Sequence, residues 1–398
     1  MTTESGDFAQ HGKDIARAFM KLGATSYGGP AIMGLMQAEL VERRRWVSRE
    51  RFVEGLSLVN MLPGATAAQL GIFLAYARGG WWGGLLGGLC FVLPAFVVML
   101  ALTMAYAVVG VTPAVRGALY GLGPVVLGIF IVAVFRLARS AVNTLLQALV
   151  ALAAVAALLA SPLGVAAILV LAGAAGIFLF HSRRVGAVLA ACIATTLAVV
   201  PAGWWSTLSA ATASPQPPTL GHLAAYFFKV GALTVGGGLT MIAFMQQQVV
   251  EELHWLSARE FVEGLALGQL TPGPILMLAA FVGYKVAGVG GAAVAAAAAF
   301  LPSFVLMLAL LPVLDRVRAL RWTKAALKGM GPAVIGLLAV SLLRLAPHAV
   351  PDAFAAATLV ATVAALTLWR VGAMKLVACG ALLGVLRSRL VTGAGAIR

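Results

Sequence analysis

Residues 79 to 115, 140 to 182 and 185 to 228 contain no Asp, Glu, Lys or Arg. A helix crosses the hydrocarbon core of a bilayer with about 20 apolar residues, so each stretch has room for one or two spans. Runs this long and this apolar are helical, because a helix satisfies its backbone polar groups within one segment. Of the 398 residues 62% are hydrophobic and 10% charged, against roughly a quarter charged in soluble domains. The sequence therefore predicts an all-α polytopic membrane protein, with the lipid bilayer as its first partner.

The formal net charge of +15 would suggest nucleic acid in a soluble chain. Here Lys and Arg fall in short loops between apolar runs, as cytoplasmic membrane loops do, and the aromatic residues lie in the runs themselves, so no nucleic-acid partner is expected. Cys90, Cys192 and Cys379 all sit inside hydrophobic segments without C-x-x-C spacing, which reads as packing rather than disulfides or metal ligation. The polar first residues, M-T-T-E-S-G-D-F, lack a basic region followed by an apolar core, so insertion is expected to use internal spans. His11, His181, His222, His254 and His348 are scattered, and neither H-E-x-x-H nor G-x-S-x-G occurs. These absences argue against an enzyme, and no cofactor or metal is expected.

The chain repeats itself. Residues 46 to 64, W-V-S-R-E-R-F-V-E-G-L-S-L-V-N-M-L-P-G, match 255 to 273, W-L-S-A-R-E-F-V-E-G-L-A-L-G-Q-L-T-P-G, at ten of 19 positions and an offset of 209. At offset 208, F-M-K-L-G-A-T-S-Y-G-G-P (19 to 30) meets F-F-K-V-G-A-L-T-V-G-G-G (227 to 238), and G-A-L-Y-G-L-G-P-V-V-L-G (117 to 128) meets A-A-L-K-G-M-G-P-A-V-I-G (325 to 336). Pro94 pairs with Pro302 and Arg136 with Arg344. Two homologous halves, 1–201 and 221–398, are expected around an extracytoplasmic linker at 202–220. Charge bias gives their orientation: loop 37 to 51 carries five Arg against three acids, whereas 246 to 260 carries one Arg against Glu251, Glu252 and Glu260. Later the bias reverses, with five Lys or Arg between 315 and 328. Positive loops stay inside, so the halves form an inverted repeat, as in many secondary transporters.

Each half also holds two breaks in apolar helix: S-Y-G-G-P (26 to 30) and M-L-P-G-A-T (61 to 66), then T-V-G-G-G (234 to 238) and L-T-P-G-P (270 to 274). Gly and Pro interrupt helices, and interrupted backbone at membrane depth belongs in protein or beside water. We therefore read segments 13 to 36, 52 to 77, 222 to 245 and 261 to 286 as re-entrant hairpins. Full crossings then number from about ten upward, to 13 if every apolar segment crosses. Half-helices starting after Pro30, Gly64, Gly238 and Pro274 would aim N-terminal amides at a common centre, a ready anion site. The candidate binding set is the break residues Gly28, Gly29, Pro30, Pro63, Gly64, Gly236, Gly237, Gly238, Pro272, Gly273 and Pro274, with the hydrogen-bonding side chains Thr25, Ser26, Asn60, Thr66, Gln69, Thr234, Thr240, Gln269 and Thr271. Lys21 and Lys229, each in F-x-K-x-G, either draw an anion inward or snorkel to the interface. Arg136 and Arg344 read as interfacial anchors. Glu54 and Glu263, each in F-V-E-G-L, are candidates for proton coupling or for structural pairing.

These motifs resemble the chromate ion transporter family in its long, two-domain form. The resemblance rests on F-M-K-L-G-A-T-S-Y-G-G-P-A, E-L-V-E-R-R-R-W-V-S, F-V-E-G-L-S-L-V-N-M-L-P-G, K-V-G-A-L-T-V-G-G-G, F-V-E-G-L-A-L-G-Q-L-T-P-G-P and F-L-P-S-F. It implies efflux of chromate, a small tetrahedral oxyanion, across the inner membrane at the expense of the proton-motive force. Chromate or a sulfate-like oxyanion and protons are the implied small partners. Alternatives are transport of sulfate or another oxyanion, or an anion channel of the same architecture, and the oligomeric state is left open between monomer and homodimer. One stretch departs from the family pattern: relatives typically read L-L-P-G-P-E-A-Q-Q-L, where this chain has M-L-P-G-A-T-A-A-Q-L, with Ala65 and Thr66 replacing the Pro-Glu pair.

Overall fold

The computed structural model describes residues 8–27, 29–60, 62–109, 112–160, 164–182, 184, 218–234, 238–313, 321–369 and 371–395. Most of the expected linker, along with Gly28, Gly236 and Gly237, lies outside them. The described residues form fourteen α-helices and no strand, and the helices fall into two matching sets of seven. The first half contributes α1 (Phe8–Thr25), α2 (Gly29–Met36), α3 (Arg49–Val59), α4 (Thr66–Val109), α5 (Pro113–Ala141), α6 (Leu145–Ala160) and α7 (Val165–Phe180). The second contributes α8 (Leu220–Leu233), α9 (Thr240–Met245), α10 (Ala258–Leu270), α11 (Leu278–Leu310), α12 (Arg321–Ala349), α13 (Ala353–Thr367) and α14 (Ala373–Gly395). The match extends to irregularities. Both α2 and α9 widen into a π-helical turn, Gln37–Arg43 and Gln246–Glu252. Each turn ends near a non-glycine residue of positive φ, Arg45 at 53° and His254 at 50°.

Local chemistry sets the ends. Ser48 caps α3 by accepting from the Arg51 amide, and Ser257 caps α10 in a capping box with Glu260, worth about 1 kcal/mol per cap. The long helices α4 and α11 are each two limbs folded back on themselves. Gly80 (φ 61°, ψ −153°) and Gly288 (φ 62°, ψ −153°) occupy equivalent turns. Past the first turn, Gly84 and Gly88 lie against Tyr76 and Ile72, and past the second, Gly291 lies against Gly283, a register that only antiparallel limbs produce. Trp81 and Trp82 follow the first turn on the surface, where aromatic residues anchor a membrane interface.

The segments read as re-entrant also turn back. Lys21 reaches Glu39 across the first break, Gly55 lies on the Phe73 ring across the second, and Lys285 reaches Glu260 across the fourth. Helices or hairpins long and apolar enough to cross a bilayer cover Thr66–Val108, Pro113–Arg139, Ile275–Leu310 and Ala325–Ala349. In the two hairpins the second limb, 81–109 or 289–310, is the one long enough to cross, since even the shorter is roughly 33 Å long at 1.5 Å per residue. Leu89, Leu93, Val97, Met104 and Val108 stay exposed along one face of its limb, an apolar stripe suited to lipid.

The halves interlock. Helix α5 packs on α13 and α14 of the second half, and α12 packs on α6 and α7 of the first. The crossings use small residues. A Cβ on Gly121 would meet the Gly380 carbonyl at 2.1 Å, and one on Gly329 would meet the Ala172 carbonyl at 2.1 Å. Gly117, Gly121, Gly380 and Gly384 on one side, and Ala325, Gly329, Ala172 and Gly176 on the other, are small-xxx-small pairs that let backbones touch. Between them, α4 packs on α11 at the centre.

Candidate anion site at the helix breaks

The four breaks meet in two pairs. The Gly64 amide donates to the Thr234 carbonyl at 2.6 Å, and the Gly273 amide donates to the Ser26 carbonyl at 2.6 Å. Ser26 and Thr234 are equivalent in the repeat, as are Gly64 and Gly273, so the two bonds are one contact seen twice across a pseudo-two-fold axis. Both glycines need their lack of a side chain. Gly64 has φ 124° and Gly273 φ 99°; a Cβ would lie 2.5 Å from the Ser303 hydroxyl and the Gln69 amide in the first case, and 2.7 Å from Ala95 in the second. Because these amides bond between breaks, they are not free to meet a ligand. The amides left for an anion at this junction come from the first turns of the following helices.

Side chains divide into two groups. Ser26, Thr66, Gln69, Thr234, Thr240 and Thr271 are buried at the junction. Thr25 and Asn60 face outward, and Gln269 is half-buried. Pro63, Gly64, Pro272, Gly273 and Pro274 form the two turns themselves, Gly238 (φ 90°) opens the turn into α9, and Gly29 and Pro30 start α2. Not every hydroxyl is available to donate: Thr25, Thr234 and Thr271 spend theirs on the carbonyls of Lys21, Val230 and Leu267 one turn back, the usual local bond of Thr in a helix. The Ser26 hydroxyl and the Gln69 Oε1 atom, both on fully buried residues, have no partner among the described residues. Gln69 Nε2 donates to the Pro63 carbonyl at 2.7 Å. Ser303, which sequence reasoning quoted only inside F-L-P-S-F, accepts from the Ala65 amide at 2.8 Å.

The junction is not symmetric in chemistry. Around Gly64 stand Ala65, Thr66, Gln69 and Ser303; the repeat places Pro274, Ile275, Leu278 and Ala95 at the equivalent positions around Gly273. Polar groups gather at one break, and apolar groups seal the other.

The charged candidates lie away from the junction. Lys21, half-exposed, points to Glu39 at 3.5 Å, a carboxylate that also holds Arg43 at 3.1 Å and Arg44 at 2.8 Å. Lys229 interacts with Glu252. Arg136 donates to the Leu366 carbonyl, and Arg344 pairs with Glu251. The two symmetric acids differ. Glu54 is half-exposed beside Arg51 at 2.9 Å. Glu263 is largely enclosed, accepts from the Tyr106 hydroxyl at 2.5 Å and pairs with Arg259 at 3.1 Å. It lines a pocket of about 520 Å³ with Tyr106, Arg116, Arg259, Glu260 and Lys285. Thr271 touches Met99 on the same α4 limb that carries Tyr106, so α10 and this limb run together from the junction to the pocket. Among the described residues no three His, Cys, Asp or Glu cluster as metal ligands.

Comparison with known proteins gives the same answer over both halves. The profile of the family described as Chromate transporter matches residues 13–179 and again 221–385. A chromate transport protein of Cupriavidus metallidurans is 33% identical over 379 residues, 93% of this chain and 92% of that one. A probable chromate transport protein of Synechococcus elongatus is 31% identical over 375 residues, 90% of each chain, and a chromate transport protein of Pseudomonas aeruginosa is 32% identical over 342 residues, 82% and 79%. No solved structure matches the chain. With the repeat, the membrane helices and the profile in agreement, the chain belongs to the chromate transporter family.

Proposed function

We propose that this protein exports chromate from the cytoplasm across the inner membrane, binding the oxyanion at the junction of the four helix breaks and drawing on the proton-motive force. The observation that carries the reading is the reciprocal pair of bonds from Gly64 to Thr234 and from Gly273 to Ser26. They hold broken, polar backbone at the centre of an apolar bundle, a place that costs free energy unless it serves a ligand or an aqueous path. The names of the relatives supply the ion. Direction follows from charge: each unit charge crossing 100 mV is worth about 2.3 kcal/mol, so an anion leaves a negative interior downhill and would need added cations to enter. Glu263, largely enclosed with Tyr106 and Arg259 and lining the pocket, is the coupling candidate we take forward in preference to the half-exposed Glu54.

In proteoliposomes the protein should give saturable chromate efflux that responds to an imposed pH gradient. A folded protein that moves no chromate under either a pH gradient or a potential would sink the reading. Glu263→Gln keeps an acceptor for Tyr106 but loses the charge. We expect chromate affinity to persist while the response to the pH gradient drops about tenfold, the size of an ordinary coupling free energy. An unchanged response would place the coupling elsewhere.

A further inference from the structure

The four breaks sit in the middle of uncharged sequence. No Asp, Glu, Lys, Arg or His occurs in 22–38, 55–77, 230–250 or 264–284, nor in the crossing limbs 81–109 and 289–310. Charges flanking these segments are engaged elsewhere: Lys21 with Glu39, Lys229 with Glu252, Arg51 with Glu54, Glu263 with Arg259, and Arg78 over the Trp46 ring. Among the described residues, then, no acid or base side chain from these segments stands at the junction to hold a proton there.

A hydrogen-bond acceptor stands there nevertheless. The Gln69 amide has its orientation forced: the Pro63 carbonyl can only accept, so Nε2 must face it, leaving Oε1 as the free end. That oxygen is fully buried and unpartnered, and an unmet buried acceptor is costly. Beside it is a donor: the Ser303 hydroxyl and the Gln69 amide both lie 2.5 Å from where a Gly64 Cβ would stand, and Ser303, already accepting from Ala65, keeps its own proton to give. A fully deprotonated tetrahedral dianion offers only acceptors, so it satisfies Ser303 and sets its lone pairs against Gln69 Oε1. A singly protonated oxyanion satisfies both.

From this we infer that the junction selects the hydrogen form of its oxyanion, with the ligand's own hydroxyl donated to Gln69 Oε1. The inference rests on the transport reading above and names the species that reading leaves open. It also separates look-alike ions. Hydrogen chromate is a weak acid and coexists with chromate near neutral pH, whereas hydrogen sulfate is a strong acid and sulfate carries no proton there. Size and charge do not distinguish chromate from sulfate; the proton does. The second half has Leu278 where the first has Gln69, so the selective acceptor is present once.

The test is equilibrium binding of chromate to the detergent-purified full chain across the hydrogen chromate–chromate transition, with sulfate and phosphate as competitors. Affinity for total chromate should fall about tenfold for each pH unit above the ion's own pKa. Sulfate should compete at least about tenfold less well than phosphate, which retains a proton at neutral pH, the cost of facing an unmet acceptor. Gln69→Leu, the residue found at the equivalent position, should flatten the pH slope and let sulfate compete. Chromate binding that is independent of pH, or sulfate competing as well as phosphate with the unmodified protein, overturns the inference while leaving transport standing. Failure to bind any oxyanion at any pH overturns both. The unmodified protein decides the matter even if Gln69→Leu folds poorly.

Discussion

Asp352 ties three helices with one carboxylate. It accepts from the Tyr120 hydroxyl at 2.5 Å, from Arg387 at 2.6 Å and from the Ala355 amide at 2.9 Å, and so joins α5 of the first half to α13 and α14 of the second. Arg387 lies over the Tyr120 ring, 4.3 Å from its centre. The Tyr120 hydrogen bond, then the Ala355 amide and Arg387, hold the Asp352 carboxyl down at about 2. A depressed carboxyl contributes stability above its unfolded value and loses it as pH falls towards the folded one. The clasp is therefore complete near neutrality and should be lost between about pH 4 and about pH 2. Asp352→Asn keeps the cap and the Tyr120 bond but drops the charge facing Arg387. We expect a lower thermal midpoint at neutral pH and a flatter acid limb in detergent melts; an acid limb of unchanged shape would assign the loss to other groups. Side chains are where sequence reading reaches least far. The repeat marked Glu54 and Glu263 as a pair, but Glu263 meets Tyr106, and the residue matching Tyr106 in the other half is Leu314. Ser303 could have been found the same way, as a hydroxyl standing where the first half has Ala95. Which hydroxyls are consumed by their own helix, as in Thr234 and Thr271, depends on rotamers that no spacing encodes.

Helix breaks were legible because Gly and Pro act locally. All four expected interruptions fall between helices, and the segments around them fold back. The turns at Gly80 and Gly288 are governed by backbone alone: a side chain there would meet nothing within 4 Å, yet φ is positive. Two residues on, Gly290 also has open space around it but lies in helical backbone. The pair separates conformation from packing. Gly288→Ala should destabilise by about 1–3 kcal/mol, the penalty of an L-residue in a φ/ψ region that is essentially glycine's alone. Gly290→Ala should stabilise by about 0.5–1 kcal/mol, the helical advantage of Ala over Gly. Thermal midpoints in one detergent would thus move in opposite directions for the same chemical change. Equal shifts would mean that the limb junction is not fixed in this conformation.

Two halves in one sequence suggest two bodies side by side, and the fold is instead interlocked: α5 lies among the last helices of the second half, and α12 among those of the first. Periodicity could not reveal this, since a repeat specifies what each half contains and not which copy its helices pack against. Cross-contacts test the expected orientation. Arg136 with Leu366 and Lys328 over Phe180 join ends that the charge scheme assigns to the cytoplasm; Arg344 with Glu251, and Tyr120 with Asp352 and Arg387, join ends it assigns outside. Every pair falls on one side, as an antiparallel arrangement demands. Arg387, which this orientation leaves outside, pairs there with Asp352. The decisive measurement uses the repeat against itself. Arg45 and His254 are exposed, share an unusual positive φ and occupy the same place in their halves, so a parallel repeat puts both on one side of the membrane and an inverted repeat puts them on opposite sides. Single cysteines placed by Arg45→Cys or His254→Cys, in a chain whose three native cysteines are replaced, would be probed in intact cells with a membrane-impermeant thiol reagent. We expect the second to label at once and the first only after permeabilisation. Equal labelling of both would make the halves parallel and remove the geometric basis for a site that opens alternately to either side.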